Sequence, residues 1–224
     1  MEKHHAPSEE DFYQEGEPPK PEEQEDGVII SPDTHRANRI PPGQSRTKKW
    51  PVLDAHGTPD VDLERWEFSA GGFVDKPLKL NLDEFKALPA VRVFGDFHCV
   101  TRWSRLGNVW TGVSTRTIAE MIGIQERVKF VLIGAYDHGW TTNVPLEDFL
   151  AEDALFAWFH DGKPIPADHG GPVRLIIPQL YAWKSAKWVN SITMLENDKA
   201  GFWEEGGYHM RGNPWVGSDG QRYR

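Results

Sequence analysis

The sequence predicts a mixed α+β fold that is rich in β-structure. Strand-like apolar runs recur along the chain, whereas the helical patterns are few and short. The 224 residues show no internal repeat and no boundary to a convincing second domain. The 38% of hydrophobic residues, with ten Trp and eleven Phe, are enough to fill a sizeable core. We therefore expect one domain over residues 31–224.

The first thirty residues differ in composition from this body. Residues 1–30 hold ten acidic and two basic residues, so they carry a net charge of −8 out of −9 for the whole chain. Low apolar content, like-charge repulsion and the proline-rich run at 18–21 all disfavour a packed structure. We expect residues 1–30 to be a disordered acidic tail that acts as a solvated arm.

Several broad classes of protein are excluded by composition. No apolar run approaches the ~18 residues that a membrane span needs, and no signal peptide or twin-arginine pair is visible. The body is close to neutral and has no basic stripe, so nucleic acid is not an expected partner. One cysteine allows no internal disulfide. We expect a cytoplasmic protein without a membrane span.

The first half of the body alternates short strands with short helices. A strand is expected over residues 67–74, and Asn81 is a suitable N-cap for a helix over 82–88. A strand over 91–100 then leads to the single cysteine, Cys99.

Three further features of this half are expected around that strand. Residues 50–53 suggest a short edge strand, and residues 110–113 read as a turn. Ser114 can cap a helix that runs to Ile122 and ends before Gly123.

The second half is dominated by strands. A near-continuous apolar run over 127–136 predicts a strand buried on both faces. Asp161-Gly162 is a strong hairpin signal. The other expected elements are strands over 140–144, 155–160, 172–178 and 188–195 and a short helix over 146–151.

Cys99 is the first candidate for chemistry. A lone cysteine at the end of a strand is either an inert core residue or a reactive thiolate, and thiolates need a positive or metal-bearing environment. His98 and Arg102 lie close to it in sequence. A Cys–His hydrolase is possible in principle, but nothing in the sequence specifies which histidine would pair with the thiol. No phosphate loop, dinucleotide fingerprint or zinc-ligand cluster is present.

Two other segments hold cationic residues in unusual places. Arg174 lies within an apolar strand, where its charge is costly unless an internal carboxylate or a ligand pairs it. Lys184 and Lys187 stand among aromatic residues, although a strand edge with solvated lysines would also explain them. The residues that could together form a cationic, donor-rich pocket for a phosphate-bearing ligand are His169, Arg174, Ser185 and Lys187.

Four segments resemble the sulfite oxidase fold of the molybdopterin-dependent oxidoreductases, and most closely its small bacterial members. They are residues 97–104 (FHCVTRWS), 169–175 (HGGPVRL), 183–189 (WKSAKWV) and 201–209 (GFWEEGGYH). The resemblance extends over residues 38–215 and so covers all but the tail. One such segment alone would be weak, but four in this order are specific.

The resemblance implies a role for each candidate residue. Cys99 is implied to ligate molybdenum, for which a thiolate is a suitable soft ligand. Arg39, Arg102 and Tyr208 are implied on the catalytic side, where they would stabilise developing oxyanion charge. The positions implied to bind the molybdenum-molybdopterin cofactor (Mo-MPT) are Asn38, Arg39, His169, Arg174, Ser185, Ala186 and Lys187.

The chain also departs from the family pattern. Sulfite oxidases carry an Asn-Arg-Arg run after the cysteine that helps to bind the sulfite dianion, whereas Arg102 and Arg105 are spaced differently here. Many methionine-sulfoxide reductase members carry Asn where this chain has His169, as sulfite oxidases do. The reductase members are exported by a twin-arginine signal, which this sequence does not show.

We therefore predict a sulfite oxidase-like enzyme that performs two-electron oxo transfer on a small oxidised-sulfur or related substrate. The alternatives are an S- or N-oxide reductase of the same fold, a Cys-dependent hydrolase or transferase, and a non-catalytic molybdopterin-binding or carrier protein. Because the chain has no haem-attachment or iron–sulfur cysteines, electrons are expected to pass to or from a separate protein donor or acceptor.

Overall fold

The computed structural model describes residues 16–216, which form two β-sheets and several short helices. The first sheet contains β1 Val28–Ile30, β2 Ser45–Arg46, β5 Ala90–Cys99, β6 Trp103–Ser114, β9 Leu155–His160, β10 Lys163–Pro164 and β11 Arg174–Ile176. The second sheet contains β3 Glu67–Gly72, β4 Leu78–Asn81, β7 Phe130–Ala135, β8 Thr141–Pro145 and β12 Val189–Leu195. The predicted mixed, β-rich α+β fold is confirmed.

Helices are short and connect the strands. The α-helices are α1 Leu82–Lys86, α2 Thr115–Ile122, α3 Leu146–Phe149 and α4 Phe202–Glu205. Single 3-10 turns occur at Pro21–Glu23, Pro32–His35, Ala167–His169 and Ala182–Lys184. Asn81 and Ser114 cap α1 and α2 as expected, by accepting hydrogen bonds from the backbone of Glu84 and Arg116. No helix in the described part of the chain is long and apolar enough to span a membrane.

The first sheet is built on the β5–β6 hairpin. Its order is β1-β5-β6-β9-β10, with β11 beside β9 and β2 beside β6. Strand β5 becomes fully buried towards its end, so the chain carries Cys99 into the interior. The tight turn that follows places Arg102 at a positive φ of 73°. The hairpin therefore fixes the cysteine at the buried end of a central strand.

The second sheet has the order β4-β3-β12-β7-β8. Strand β12 pairs in parallel with β3 and antiparallel with β7. The larger hydrophobic core contains side chains from both sheets and from α1 and α2, for example Phe68, Phe85, Ile118 and Ile192. A smaller core cluster packs around Cys99.

The structure corrects two local predictions. Residues 50–53 form no strand, since Pro51 has no backbone donor for a ladder and the segment instead lines a cavity. Residues 110–113 are not a turn but lie within β6, where they pair with both β5 and β9. Tryptophan and glycine in this stretch suggested a loop, whereas tertiary pairing places it in the centre of a sheet.

The end of the predicted tail also differs from expectation. Val28–Ile30 is a strand, β1, that pairs in parallel with β5. Residues Val28, Ile29 and Ile30 are apolar and can add to a sheet edge, which the acidic composition of the whole segment obscured. Residues 1–15 of the predicted tail lie outside the described residues.

Candidate functional site

A partly open cavity lies beside the end of β5. Cys99 lines it together with Arg174, Lys187 and an aromatic wall. This wall is formed by Trp50, Phe97, Trp103, Trp140, Trp183, Trp188, Trp203 and Tyr208. Six of the ten predicted site residues line this cavity: Cys99, Arg174, Ser185, Ala186, Lys187 and Tyr208.

Cys99 is buried, and its thiol sulfur accepts a hydrogen bond of 3.1 Å from the Thr101 hydroxyl. Burial raises the pKa of the Cys99 thiol. A smaller effect in the opposite direction comes from Thr101, Arg174 and Lys187. A free thiol of this kind is a poor nucleophile. A bound metal ion would deprotonate it outright, so the environment suits a metal ligand better.

The Cys–His hydrolase alternative finds no matching geometry. Within residues 16–216, no histidine is hydrogen-bonded to Cys99, although nucleophile and base must be in reach of each other. The candidate rings make other contacts: His98 with Ser104, His160 with Asn108 and His169 with Trp50, while His138 is exposed.

Arg174 brings a buried positive charge to the cavity. Its Nη1 donates to the carbonyl of His169 at 2.7 Å, and its guanidinium lies over the rings of Trp50 and Phe97. Burial lowers its pKa to about 9. No carboxylate pairs with it among the described residues, and its buried Nε has no hydrogen-bond partner there. Of the two explanations left open, the internal carboxylate is therefore not found among these residues, and Arg174 can still bind an acceptor.

Lys187 faces the same cavity but is already paired. Its Nζ donates to Asp54 Oδ1 and, at 2.7 Å, to the carbonyl of Asp168. Burial and the charge of Arg174 lower its pKa to about 8, while Asp54 raises it. A side chain on Gly170, which has a φ of 104°, would lie 2.8 Å from the Lys187 backbone, so glycine permits this close packing.

The other predicted cofactor-binding residues are held by backbone contacts and stacking. The Ser185 hydroxyl accepts from the backbone of Ile177, and the Ala186 carbonyl accepts from Leu175. His169 stacks on Trp50 with ring centroids 4.0 Å apart, and its buried Nδ1 has no partner among the described residues. Burial lowers its pKa to about 4, so the ring is neutral.

Tyr208 closes the cavity on the side of the C-terminal segment. Its ring contacts Trp183 at 5.1 Å and Trp203 at 5.0 Å between centroids. Burial raises the pKa of its phenol, and a negative charge on Cys99 would raise it further, so the hydroxyl keeps its proton and can donate a hydrogen bond.

The remaining predicted residues do not line the cavity. Arg39 binds both oxygens of Asp96, at 2.8 and 2.6 Å, and donates to the carbonyl of Pro19. Asn38 is exposed, and its side-chain oxygen accepts a hydrogen bond from the backbone N–H of Ile40. Arg102 is exposed on the hairpin turn. None of these three residues lines the cavity, although the backbone N–H of Arg102 donates to the Cys99 carbonyl at 2.9 Å, and their assigned roles stay predictions.

The sequence analysis missed Asp54 and Glu204, the acidic partners of the two lysines that it had selected. Asp54 pairs with Lys187, and Lys184 is fully buried against Glu204. The burial of Lys184 could have been predicted, because it lies between Trp183 and Ser185 in a segment already expected to form a pocket. No comparable local signal marks Asp54, whose partner is 133 residues away.

These residues fit an anionic cofactor that carries a soft metal. Arg174 lines the cavity, and its buried Nε has no hydrogen-bond partner within residues 16–216. The buried Nδ1 of His169, whose ring stacks on the lining residue Trp50, also has none there. Cys99 supplies one soft donor. Within residues 16–216, no group of three His, Cys, Asp or Glu side chains could hold a metal by itself. A metal at Cys99 would therefore take its other ligands from a cofactor.

Comparisons with known proteins agree with this chemistry. Residues 55–203 match the family model of the oxidoreductase molybdopterin-binding domain. The uncharacterized oxidoreductase YuiH of Bacillus subtilis is 46% identical over 181 residues, which cover 80% of this chain and 91% of that protein. Sulfite oxidase of Arabidopsis thaliana is 25% identical over 70% of this chain and 49% of its own length.

A reductase and a solved structure extend the comparison. The protein-methionine-sulfoxide reductase catalytic subunit MsrP of Campylobacter jejuni is 24% identical over 70% of this chain and 60% of its own length. The crystal structure of the sulfane dehydrogenase SoxCD from Paracoccus pantotrophus has the same fold, with a TM-score of 0.58 and 18% identity over 63% of this chain and 41% of that one.

The chain belongs to the oxidoreductase molybdopterin-binding domain family. It is a sulfite oxidase-like oxidoreductase whose cofactor is molybdenum-molybdopterin. The expected family, enzyme class and cofactor are confirmed.

Proposed function

We propose that the enzyme performs two-electron oxo transfer on a small substrate in the cavity beside Cys99. The observation that carries this proposal is the joint placement of Cys99, Arg174 and Lys187 on one cavity, with Arg174 Nε still unpaired. When bound, the cofactor supplies the oxo group and the two-electron change between Mo(VI) and Mo(IV). The protein then has to bind the cofactor, orient the substrate and exclude water from the cavity.

Each residue has a defined task in this mechanism. Cys99 would hold the metal through its thiolate, while Arg174 and Lys187 would bind anionic groups of the cofactor. The aromatic wall would exclude water. Tyr208 would donate a hydrogen bond to the substrate oxygen from its protonated phenol.

A neutral S- or N-oxide is a second candidate substrate. Arg39 is occupied by Asp96, and Arg102 is exposed outside the cavity, so neither is placed to bind a sulfite dianion. The side of the cavity beside Tyr208 is lined instead by Trp183 and Trp203, an environment that favours an uncharged substrate. The relatives named as a sulfite oxidase and as a methionine-sulfoxide reductase support one alternative each.

The metal and the substrate can be tested on one preparation. Protein from a host that makes the cofactor should contain about one molybdenum atom per chain and should release a fluorescent pterin on denaturation. Absence of both would contradict the proposal. Sulfite with ferricyanide and methionine sulfoxide with reduced benzyl viologen then separate the two directions of transfer. A fully loaded protein that turns over neither would favour the non-catalytic carrier.

Electron transfer completes the proposed cycle. A separate donor or acceptor protein would exchange electrons with the cofactor, since the chain has a single cysteine and therefore cannot hold an iron–sulfur cluster by itself. A cytoplasmic location stays a prediction.

A further inference from the structure

A buried ion pair lies directly behind the aromatic wall of the cavity. Lys184 Nζ and Glu204 Oε1 are 2.6 Å apart, and both side chains are completely shielded from solvent. Removing two charges from water is costly, so such a pair persists where further hydrogen bonds satisfy both groups. It needs an explanation beyond general stability, because well-packed apolar residues usually serve that purpose as well.

The pair is fully bonded and joins three parts of the chain. Lys184 Nζ also donates to the backbone carbonyl and the Oδ1 of Asn143, at 2.8 and 2.7 Å. Glu204 Oε1 accepts from Thr142 and from the indole Nε1 of Trp183, both at 3.0 Å. Strand β8, the Ala182–Lys184 turn and helix α4 therefore meet at these two charges.

This network fixes both rings that contact Tyr208. Trp183 is held through its hydrogen bond to Glu204, and Trp203 precedes Glu204 in α4. The backbone N–H of Tyr208 donates to the Trp203 carbonyl at 3.0 Å, and its ring touches both indoles. The charges themselves do not line the cavity, whereas all three rings do.

We propose that Glu204, with its charge compensated by Lys184, is a positioning residue that holds Tyr208 in place for the substrate through Trp183 and Trp203. This inference rests on the proposed function, because it assumes that Tyr208 contacts the substrate. The essential feature is the side-chain oxygen at position 204 that accepts from the Trp183 indole, and Lys184 compensates the charge that the carboxylate brings into the interior. A purely structural pair would need no such acceptor.

Two uncharged double variants separate these explanations. K184M/E204L replaces the pair by apolar side chains of similar size, which proteins often tolerate, but leaves Trp183 without its acceptor. K184M/E204Q is also uncharged and keeps an amide oxygen at the same position. R211Q is a control in the same segment, since it removes the ion pairs of Arg211 with Glu147 and Asp148, and Arg211 is not hydrogen-bonded to Lys184, Glu204 or Trp183 within residues 16–216.

The expected result is a difference between the two double variants. K184M/E204L should lose roughly ten- to a hundredfold in kcat with molybdenum content unchanged, because small misplacements at a reacting centre have effects of this size. K184M/E204Q and R211Q should stay within about threefold of wild type. Activity is measured with whichever of sulfite or methionine sulfoxide the wild-type enzyme turns over. Equal activity in the two double variants would overturn the proposal.

A double-mutant cycle shows whether the effect passes through Tyr208. In a Tyr208→Phe background, K184M/E204L should reduce kcat by less than about threefold further, because the group being positioned has already gone. Losses that multiply would mean that the pair acts elsewhere. Near-ultraviolet circular dichroism of the apoproteins should show the aromatic signal reduced in K184M/E204L and retained in K184M/E204Q.

One measurement needs no change to the pair. In ¹⁵N-Trp-labelled wild-type apoprotein, the Trp183 indole proton, assigned with Trp183→Phe, should exchange slowly with solvent. Exchange as fast as that of an exposed indole would overturn the proposal even if neither double variant folds. A wild-type protein without molybdenum or activity would instead refute the proposed function, and the spectroscopic results on the rings would still stand.

Discussion

At the scale of single residues, Asp54 is the group that most affects how the site can bind its cofactor. Its carboxylate is paired with Lys187, and both side chains are nearly buried, at 9% and 13% exposed. To bind an anionic group of the cofactor, Lys187 would therefore have to break its ion pair with Asp54 or bind both groups at once. Until the cofactor binds, the ion pair compensates the charge of Lys187 and holds the segment around residue 54 against Lys187.

Asp54→Asn tests this competition. Without the carboxylate, Lys187 can bind a cofactor anion without first breaking an ion pair. The affinity of the apoprotein for molybdopterin should therefore rise by roughly tenfold, or about 1.4 kcal/mol. Quenching of the tryptophan fluorescence in the cavity wall measures the binding. Asp137→Asn is the matched control, since Asp137 lines the same cavity but pairs with His56, and its affinity should not change. Weaker binding by Asp54→Asn would show that the carboxylate orients the lysine for the cofactor.

The sequence predicted the residues of this site unevenly, for a physical reason. Cys99 and Arg174 stand out locally, one as a lone cysteine at a strand end and one as a charge in an apolar strand. Lys184 could be taken as solvated, because its partner Glu204 lies 20 residues later. The state of an ionisable group depends on partners that folding supplies, and those of Lys184 and Lys187 are not neighbours in sequence.

At the scale of elements, β6 shows how tertiary pairing overrides local appearance. Its stretch 110–113 was expected to be a turn, yet it lies between β5 and β9 in the first sheet. Gly112 allows this arrangement, because a Cβ at that position would be 1.9 Å from the carbonyl oxygen of Phe156. The glycine marks a close approach of two strands rather than a change of chain direction.

Gly112→Ala should destabilise the fold. The added methyl group must push β9 away from β6, and overpacking of this kind lowers the free energy of unfolding by about 1–3 kcal/mol. Chemical denaturation measures the change. Gly71→Ala in β3 is the control, since a Cβ there meets nothing within 4 Å, and it should alter stability by less than about 0.5 kcal/mol. Equal stability of the two variants would contradict the role given to Gly112.

At the scale of the whole molecule, the fold class and several element positions could be predicted, but the arrangement of strands could not. Hydrophobic periodicity is local, and it identified β7 and β9. The parallel pairing of β12 with β3 joins segments more than a hundred residues apart, so no local pattern specifies it. The parallel pairing of β1 with β5 also joins segments that are distant in sequence, so it too could not be predicted from a local pattern. Recognition of the cofactor site came from four separate segments that only folding brings together.

The central claim is that Cys99 binds molybdenum in this cavity, and X-ray absorption at the molybdenum edge tests it most directly. The wild-type enzyme should show one more sulfur neighbour at the metal than Cys99→Ser, whose molybdenum is held by the sulfurs of the pterin. The same number of sulfur neighbours in both proteins would show that Cys99 is not a ligand and would contradict the account.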